Sequence, residues 1–423
     1  MPDQPNQPDQ QKNARQPSHL VVALGASAGG LDALQRFFQA VGENPGVAFV
    51  VIVHLLPERS SDLATLLSRK TAMTVKQAED GEGIQANCVY VIPPNTELAL
   101  MNGSLHLIPR SSDRPWLPID YFFRSLASDA GEQAVGIVLS GSGSDGSLGL
   151  QEIKGKLGMT MAESPDAAEF PGMPQAAIDL GIVDIVADPE DLAGELIEYA
   201  ERFSARRQNT DETPERFKSQ LGKVFVVLRS QVGHDFSAYK ETTVFRRLQR
   251  RLDVHKIDRL EDYVRYLQGN LKEAELLFRD LLIGVTSLFR EPESFEELRT
   301  KVLPELLQDR RSDDPLRIWV PGCAGGEEAY SIAMIVKESL EEQERALPVN
   351  IFGTDIDEDA IDRARRGLFP RAATQDIGEE RTKRFFDYSG DMLQVRSEIR
   401  NMLVFSKQDL IKDPPFTKLD LLS

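Results

Sequence analysis

LVVALGASAGGLDAL, residues Leu20–Leu34, begins with a short apolar run of the kind that forms a buried strand. Gly25, Gly29 and Gly30 then permit a tight turn, and Leu31–Phe38 resumes with helical spacing. Ser27 is thereby placed at the carboxyl end of a strand and the amino end of a helix. In an open α/β sheet, ligands and reacting groups collect in that crevice. Backbone N–H groups and the positive helix end favour negative charge there.

Three readings compete for this turn. GASAGG loosely matches the dinucleotide fingerprint G-x-G-x-x-G, which asks for an acidic residue at the end of the next strand to hold a ribose. That next strand, Val47–Val53, runs into His54 instead. A purely structural glycine turn is the second reading. The third is a serine nucleophile on a strand–turn–helix elbow, G-x-S-x-G, which requires a histidine and an acid at neighbouring strand ends. His54 stands at such an end.

The whole chain sets bounds on all three. Its 423 residues predict two or three domains, each able to bury a core. A net charge of −18 argues against general nucleic-acid binding. Two cysteines make no disulfide framework and fit a reducing, cytoplasmic setting. The longest apolar run, near Val47–Leu56, is too short to span a bilayer, so direct membrane insertion is not expected. No metal site is expected either. Met1–Pro17 is rich in Gln, Pro, Asp and Asn and reads as a disordered tail rather than a signal peptide.

After the elbow, strands and helices alternate. Val47–Val53 is followed by a helix near Ser61–Arg69, then a strand Val89–Ile92, and Glu97–Ile108 reads as a hairpin around Asn102-Gly103. Ile119–Asp129 is helical, and Ala134–Leu139 is a buried strand leading into SGSGSDGSLG, Ser140–Gly149, with a further helix to about Lys156. The simplest account is a mostly parallel, doubly wound sheet. Asp145 stands at the tip of the second glycine-rich loop. Three strand ends then present Ser27, His54 and Asp145, the inventory of a hydrolytic triad. Ser27 would attack an ester carbonyl, His54 would move the proton, and Asp145 would orient His54. The N–H groups of Ala28 and of Ser142, in the Ser140–Gly143 loop, are the expected oxyanion donors. Taken singly, His54 as a core histidine and Asp145 as a helix cap are the blander readings. The coincidence of three strand ends favours the triad.

Gly25-Ala26-Ser27-x-Gly29-Gly30, His54, Gly141-x-Gly143-x-Asp145-Gly146 and Phe170-Pro-Gly-Met-Pro-Gln-Ala-Ala-Ile178 together resemble the catalytic domain of the chemotaxis protein-glutamate methylesterases, over about Ser18–Phe203. The resemblance implies hydrolysis of glutamyl γ-methyl esters on chemoreceptors, and glutamine deamidation with it. Ser27, His54 and Asp145 fall on the family's triad. Ala28 stands where that family often has Thr, and Ser142 where it often has Met. The family's N-terminal phosphorylation domain does not precede Leu20, so control by aspartyl phosphate within this chain is not expected.

Glu190–Arg202 reads as a closing helix and Ser204–Glu215 as a polar linker. Phe217–Leu282 is helix-rich. Within it, Arg246, Arg247, Arg250 and Arg251 recur at helical spacing beside an apolar stripe of Val244, Leu248 and Leu252. A solvated basic face and nucleic-acid binding are both open for it. In so acidic a protein, an acidic protein helix is the preferred partner. Further on, the strand Leu316–Val320 opens into Pro321-Gly322-Cys323-Ala324-Gly325-Gly326, and a helix starts at Glu327-Glu328. The next strand, Val349–Phe352, ends in Gly353-Thr354-Asp355. A glycine-rich loop, a helix and an acidic strand end indicate a nucleoside cofactor whose ribose Asp355 would hold and whose approach Gly322 would permit. NAD and S-adenosylmethionine both fit that geometry. Glu328 favours the second, because a carboxylate suits an ammonium group and repels a pyrophosphate.

Asp235-Phe-Ser-x-Tyr239-Lys, Arg246-Arg247-x-x-Arg250-Arg251, Thr286-x-x-Phe289-Arg290-Glu291, Gly326-Glu-Glu328-x-Tyr330-Ser331 and Thr354-Asp355-Ile-Asp357 resemble the chemotaxis receptor glutamate methyltransferases, from about Phe217 onward. The resemblance implies a small helical domain followed by a Rossmann-like S-adenosylmethionine domain. It places Thr286, Arg290, Glu328 and Asp355 at cofactor contacts, with Asp409 near another that is more often Asn. Gly284 falls at a further contact, also commonly Asn. It puts Arg290 and Tyr330 near the transferred methyl group and docks the basic helix on the acidic methylation helices of methyl-accepting chemotaxis receptors. Leu419–Ser423 reads as the fourth strand of this sheet, and the segment that follows it in the family lies beyond Ser423. The expected organisation is a tail 1–17, a methylesterase-like domain 18–203, a linker 204–215, a helical domain 216–283 and an incomplete cofactor domain 284–423. A signalling scaffold with enzyme-like, inactive domains is the rival reading.

Overall fold

The computed structural model describes residues 19–54, 61–110, 116–208, 214–282, 286–308, 310–390 and 392–423. Met1–Pro17, Gly284 and residues 209–213 of the expected linker lie outside them. The chain divides into two compact units. One comprises residues 1–110, 118–142 and 152–208; the other comprises 111–117, 143–151 and 209–423.

In residues 19–208, β1 (Val21–Ala26), β2 (Ala48–Val53), β3 (Thr74–Gln77), β4 (Glu82–Gly83), β5 (Cys88–Val91), β6 (Thr96–Met101), β7 (Ser104–Pro109), β8 (Ala134–Val138), β9 (Met159–Glu163) and β10 (Ile185–Ala187) alternate with α1 (Gly30–Ala40), α2 (Ser61–Ser68), α3 (Pro118–Ala130), α4 (Ser147–Gly155, whose first residues to Gln151 group with the second unit), α5 (Gly172–Asp179) and α6 (Pro189–Gln208). Seven strands form one wholly parallel sheet in the order β10-β9-β8-β1-β2-β5-β3. β1 and β2 are buried along their whole length, as a parallel sheet covered on both faces requires. After β1 the chain winds outward to β2, β5 and β3, and it later returns to β8 on β1's other side. The strand order therefore reverses at β1, which is where a doubly wound sheet opens its crevice. The hairpin β6–β7 closes through Asn102 and Gly103, both at positive φ (54° and 73°), the backbone of a two-residue primed turn.

The second unit contains α7 (Pro214–Gln231), α8 (Glu241–Val254), α9 (Leu260–Gly269) and α10 (Leu271–Leu282), which bury Leu221, Val224, Leu228, Val244, Leu248 and Leu277 together. Then come α11 (Pro292–Glu297), a π-helical turn, and α12 (Leu303–Leu307). A four-stranded parallel sheet, in the order β16-β12-β11-β17, is built from β11 (Leu316–Pro321), β12 (Val349–Asp355), β16 (Leu403–Lys407) and β17 (Leu421–Leu422). Helices α13 (Glu327–Glu342) and α14 (Glu358–Arg366) follow β11 and β12. A small antiparallel sheet of β13 (Leu368–Pro370), β14 (Phe386–Ser389) and β15 (Met392–Val395) lies between, an element the sequence did not announce.

Two expectations need correction. The polar residues from Ser204 continue α6 as far as Gln208, because Ala, Arg and Gln favour helix whether or not they are buried, so the linker is shorter than 204–215. The basic helix is the larger change. Arg247, Arg250 and Arg251 are buried, and only Arg246 of the four is exposed. Arg250 donates to Asp280 at 3.1 Å, and Arg251 donates through Nε to Glu273 at 2.9 Å while a second nitrogen reaches the same carboxylate. His255 and Tyr263 complete the cluster on Glu273. Burial alone would raise the Glu273 carboxyl, but the bonds from His255, Arg251 and Tyr263 outweigh it and bring the group to about 2. Arg251 lies two helical turns beyond Val244 and so faces the core with the apolar stripe. Arg250 and Arg251 hold the helical domain together and are not a docking surface; reversing their charge would leave buried carboxylates unpaired.

Candidate functional site

Ser27 and His54 are brought together by register. Ala26 pairs with Val53, so each residue is the first beyond the end of its strand, on neighbouring strands. The His54 N–H lies 3.4 Å from the Ala26 carbonyl, which carries the ladder one step into the turn. On the other side of β1, the Ser27 N–H donates to the Ser140 carbonyl at 2.9 Å, and the Gly30 N–H donates to the Ser27 carbonyl at 3.0 Å. Ser27 is half-buried and Ala28 exposed. Gly29 is left-handed (φ 72°), and a Cβ there would come 2.7 Å from Ser140 Oγ. A Cβ on Gly141 would come 2.2 Å from Met173 Sδ and 2.9 Å from Ser27 Cβ. Both glycines are needed for close approach.

Ser140 is the hub of this turn. Its Oγ donates to the Ala28 carbonyl at 2.9 Å and accepts the Phe170 N–H at 3.0 Å. Its own N–H donates to Glu163 Oε2 at 2.7 Å. Gly141 donates to the Phe170 carbonyl and accepts from the Met173 N–H, both at 2.9 Å. The Phe170–Ile178 motif therefore braces the loop that follows β8. Ser142 is exposed in that loop. Asp145, just ahead of α4, is 3% exposed and belongs to segment 143–151, which groups with the second unit. Sequence reading missed Glu163, whose only sign is a charged residue closing the apolar strand MTMAE.

A second strand–turn–helix unit stands at the end of β11. The Cys323 N–H donates to the Thr354 carbonyl of β12 at 3.0 Å, and Gly326 (φ 91°) donates to the Cys323 carbonyl at 2.8 Å and caps α13. Asp355, the last residue of β12, accepts the Ala324 N–H on one oxygen and the Asp357 N–H on the other, each at 2.9 Å. Among the described residues no heavy atom would lie within 4 Å of a Cβ on Gly322, which leaves open space over the loop. Glu328 is half-buried on the first turn of α13 and accepts from the Ser423 hydroxyl. Its neighbour Glu327 has a sealed carboxyl oxygen without a hydrogen-bond partner among the described residues, and burial pushes that carboxyl up to about 7.

Residues 22–196 match the CheB methylesterase family, residues 219–282 the all-alpha domain of CheR methyltransferase, and residues 284–423 its SAM binding domain. The chain joins a CheB methylesterase domain to the two domains of a CheR methyltransferase. An uncharacterized 104.1 kDa protein of Rhodobacter capsulatus is 35% identical over 382 residues, 85% of this chain and 40% of that protein. A protein-glutamate methylesterase/protein-glutamine glutaminase of Desulfotalea psychrophila is 32% identical over 42% of this chain and 50% of its own length. A chemotaxis protein methyltransferase of Borreliella burgdorferi is 29% identical over 48% of this chain and 73% of its own length. This chain thus spans half or less of the first two relatives. The crystal structure of the Thermotoga maritima CheB methylesterase catalytic domain aligns over 43% of this chain and 98% of its own, at 29% identity and a TM-score of 0.41.

In the methyltransferase domains, the expected residues fall in different places. Thr286 is half-buried and Arg290 exposed. Between them Phe289, at φ 53°, donates its N–H to Ser331 Oγ at 2.9 Å, which fastens this segment to α13. Asp409 lies 3.3 Å from His234 Nδ1 and accepts from Lys412 and the Ile411 N–H. Burial would raise its carboxyl, yet these partners hold it below the ordinary value. Tyr239, from the helical domain, is raised by burial and then by the charges of Asp409 and Asp355. Tyr330, expected near the transferred methyl group, faces the core. It is 1% exposed, packs edge-on to Phe369 and donates its hydroxyl to the Ala364 carbonyl at 2.8 Å. An aromatic residue on the fourth position of α13 faces the sheet, so its role is packing. Among the described residues no helix is long and apolar enough to cross a membrane, and no cluster of His, Cys, Asp or Glu could hold a metal ion.

Proposed function

We propose that this protein hydrolyses methyl esters of chemoreceptor glutamates with its methylesterase domain and forms them from S-adenosylmethionine with its methyltransferase domains. The observation that carries the first half is Ser27, pinned by the Ser140 carbonyl at the switch point of the sheet with His54 on the adjacent strand end. Ser27 Oγ attacks the ester carbonyl while His54 takes its proton. His54 then returns a proton to the departing methanol. Asp145, from the loop after β8, orients His54 and stabilises its charged form. The N–H groups of Ala28 and Ser142 receive the oxyanion. Water repeats the sequence on the acyl-enzyme, and glutamine deamidation would follow the same course with ammonia leaving.

The donor set at the end of β11 fits S-adenosylmethionine: open space over Gly322, a carboxylate on Asp355 for ribose hydroxyls and one on Glu328 for an ammonium group. When bound, that cofactor supplies an electrophilic methyl group on a sulfonium. Thr286, Arg290 and Asp409 would help hold it, and Arg290 would steer the receptor carboxylate into line. Catalysis here is mainly positioning. Of the basic helix, Arg246 alone remains available to meet an acidic receptor helix. The working organisation is 18–203 for the esterase, 216–283 for the helical domain and 284–423 for the cofactor domain. Methanol release from receptor carrying labelled methyl esters tests the esterase. Ser27→Ala in the full chain should cut it on the order of 10⁴-fold or more. Equal release from the variant would remove Ser27 as nucleophile.

A further inference from the structure

We infer that Glu163 is a positioning residue for the nucleophile, acting through Ser140; this rests on the reading of Ser27 as that nucleophile. Glu163 ends β9, next to β8, and is 1% exposed. Its carboxylate accepts the Ser140 N–H at 2.7 Å, a bond of charge-assisted length. Ser140 in turn accepts the Ser27 N–H on its carbonyl, and its hydroxyl ties the Ala28 carbonyl to the Phe170 N–H. One buried carboxylate thus fixes the residue against which both sides of the elbow are set: the nucleophile's own amide and the loop that leads to Ser142.

A backbone N–H needs only a neutral acceptor, and a buried carboxylate is far costlier to keep. Asn, Gln or a carbonyl would have satisfied the amide. The groups facing Glu163 do not neutralise it. Among the described residues Arg36 on α1 is the cation that acts on it, and Arg36 is held by both oxygens of Glu190 at 2.7 Å. Asp32 on α1 and Asp188 ahead of α6 add negative charge. Burial raises the Glu163 carboxyl above its ordinary value; the Ser140 N–H and Arg36 oppose that only in part. Such an arrangement is stable only while the rest of the fold over-determines it, and cost of that kind collects where geometry has to be kept for chemistry. The elbow is the only such geometry that Ser140 touches among the described residues.

The test compares Glu163→Gln and Glu163→Ala with wild type in the full chain, on a small methyl ester and by amide hydrogen exchange. Loss of a hydrogen bond to a charged group should lower kcat on the order of 10-fold in Glu163→Gln and on the order of 100-fold in Glu163→Ala, with KM changed by no more than about twofold. Exchange at the Ser27 and Ser140 amides should rise about 10-fold, with none at Trp319 in the other sheet. The wild-type kcat should also lose activity in acid above the usual carboxylate range, an inflection absent from Glu163→Gln. Wild-type kcat and wild-type exchange in Glu163→Gln would overturn the inference. If the wild-type protein releases no methanol, the nucleophile reading fails by itself. Exchange then decides for Glu163: faster at Ser27 sustains the hold through Ser140, and unchanged overturns it.

Discussion

The turns after β1 and β11 are the same device with different contents. Each leaves a central parallel strand, hands an early N–H to a carbonyl at or just past the end of the strand beside it, turns through a left-handed glycine and starts a helix. In the first turn the N–H ties run to backbone carbonyls, and what the turn offers is the half-buried hydroxyl of Ser27 next to the strand end that carries His54. In the second, the neighbouring strand ends in Asp355, whose carboxylate binds the loop amide of Ala324. Two more residues also separate strand from helix, which opens room above Gly322. A shared backbone therefore commits to nothing. What differs is the residue at the end of the neighbouring strand, His54 just past β2 in one case and Asp355 closing β12 in the other, and the proposed split between nucleophilic hydrolysis and cofactor binding rests on it.

Substitutions that fill either turn should separate the two chemistries. Gly141→Ala drives a methyl group against Met173 and Ser27 Cβ, and a displaced nucleophile should lower ester turnover on the order of 100-fold with cofactor binding intact. Gly326→Ala places a side chain at φ 91° and 3.0 Å from Phe405. That strain, about 1–3 kcal/mol, should weaken S-adenosylmethionine binding by about 10-fold or more in calorimetry and leave the esterase untouched. Loss of both activities in either variant would break the comparison. The smallest effect concerns Glu327. Its carboxyl stands at about 7 when folded and ordinarily at 4.5, so the folded state holds the extra proton between those values. Stability contributed by the protonated form is full below about 4.5 and falls as pH rises through about 7. Glu327→Gln should gain in melting temperature over wild type as pH is raised across that window; a gain independent of pH would place the carboxyl's cost elsewhere.

Much of this was legible because short signals carry position. The strand–glycine–helix order located both turns, and register did the rest, since Ala26 opposite Val53 puts Ser27 beside His54. Asn102-Gly103 gave the hairpin for an equally local reason. What escaped reading depends on contacts across long separations. Glu163 meets Ser140 from a strand 23 residues further on, and nothing in MTMAE names that partner. Arg250 and Arg251 looked like part of an exposed face for an acidic partner helix because their partners, Asp280 and Glu273, arrive from α10. Position on the helix could have warned of it, since Arg251 shares Val244's face. Tyr330's burial was unread for the same reason: its neighbours in the motif suggested chemistry, while the helix turned its ring into the core.

The account rests on two separable sites, and one double comparison tests that most directly. Methanol release from methyl-labelled receptor and S-adenosylmethionine binding would be measured on wild type, Ser27→Ala and Asp355→Asn. Ser27→Ala should abolish release and bind cofactor normally. Asp355→Asn should release methanol normally and bind cofactor about 10-fold or more weakly, as loss of a charged acceptor predicts. Release that survives Ser27→Ala, or cofactor binding indifferent to Asp355, would contradict the assignment of that site.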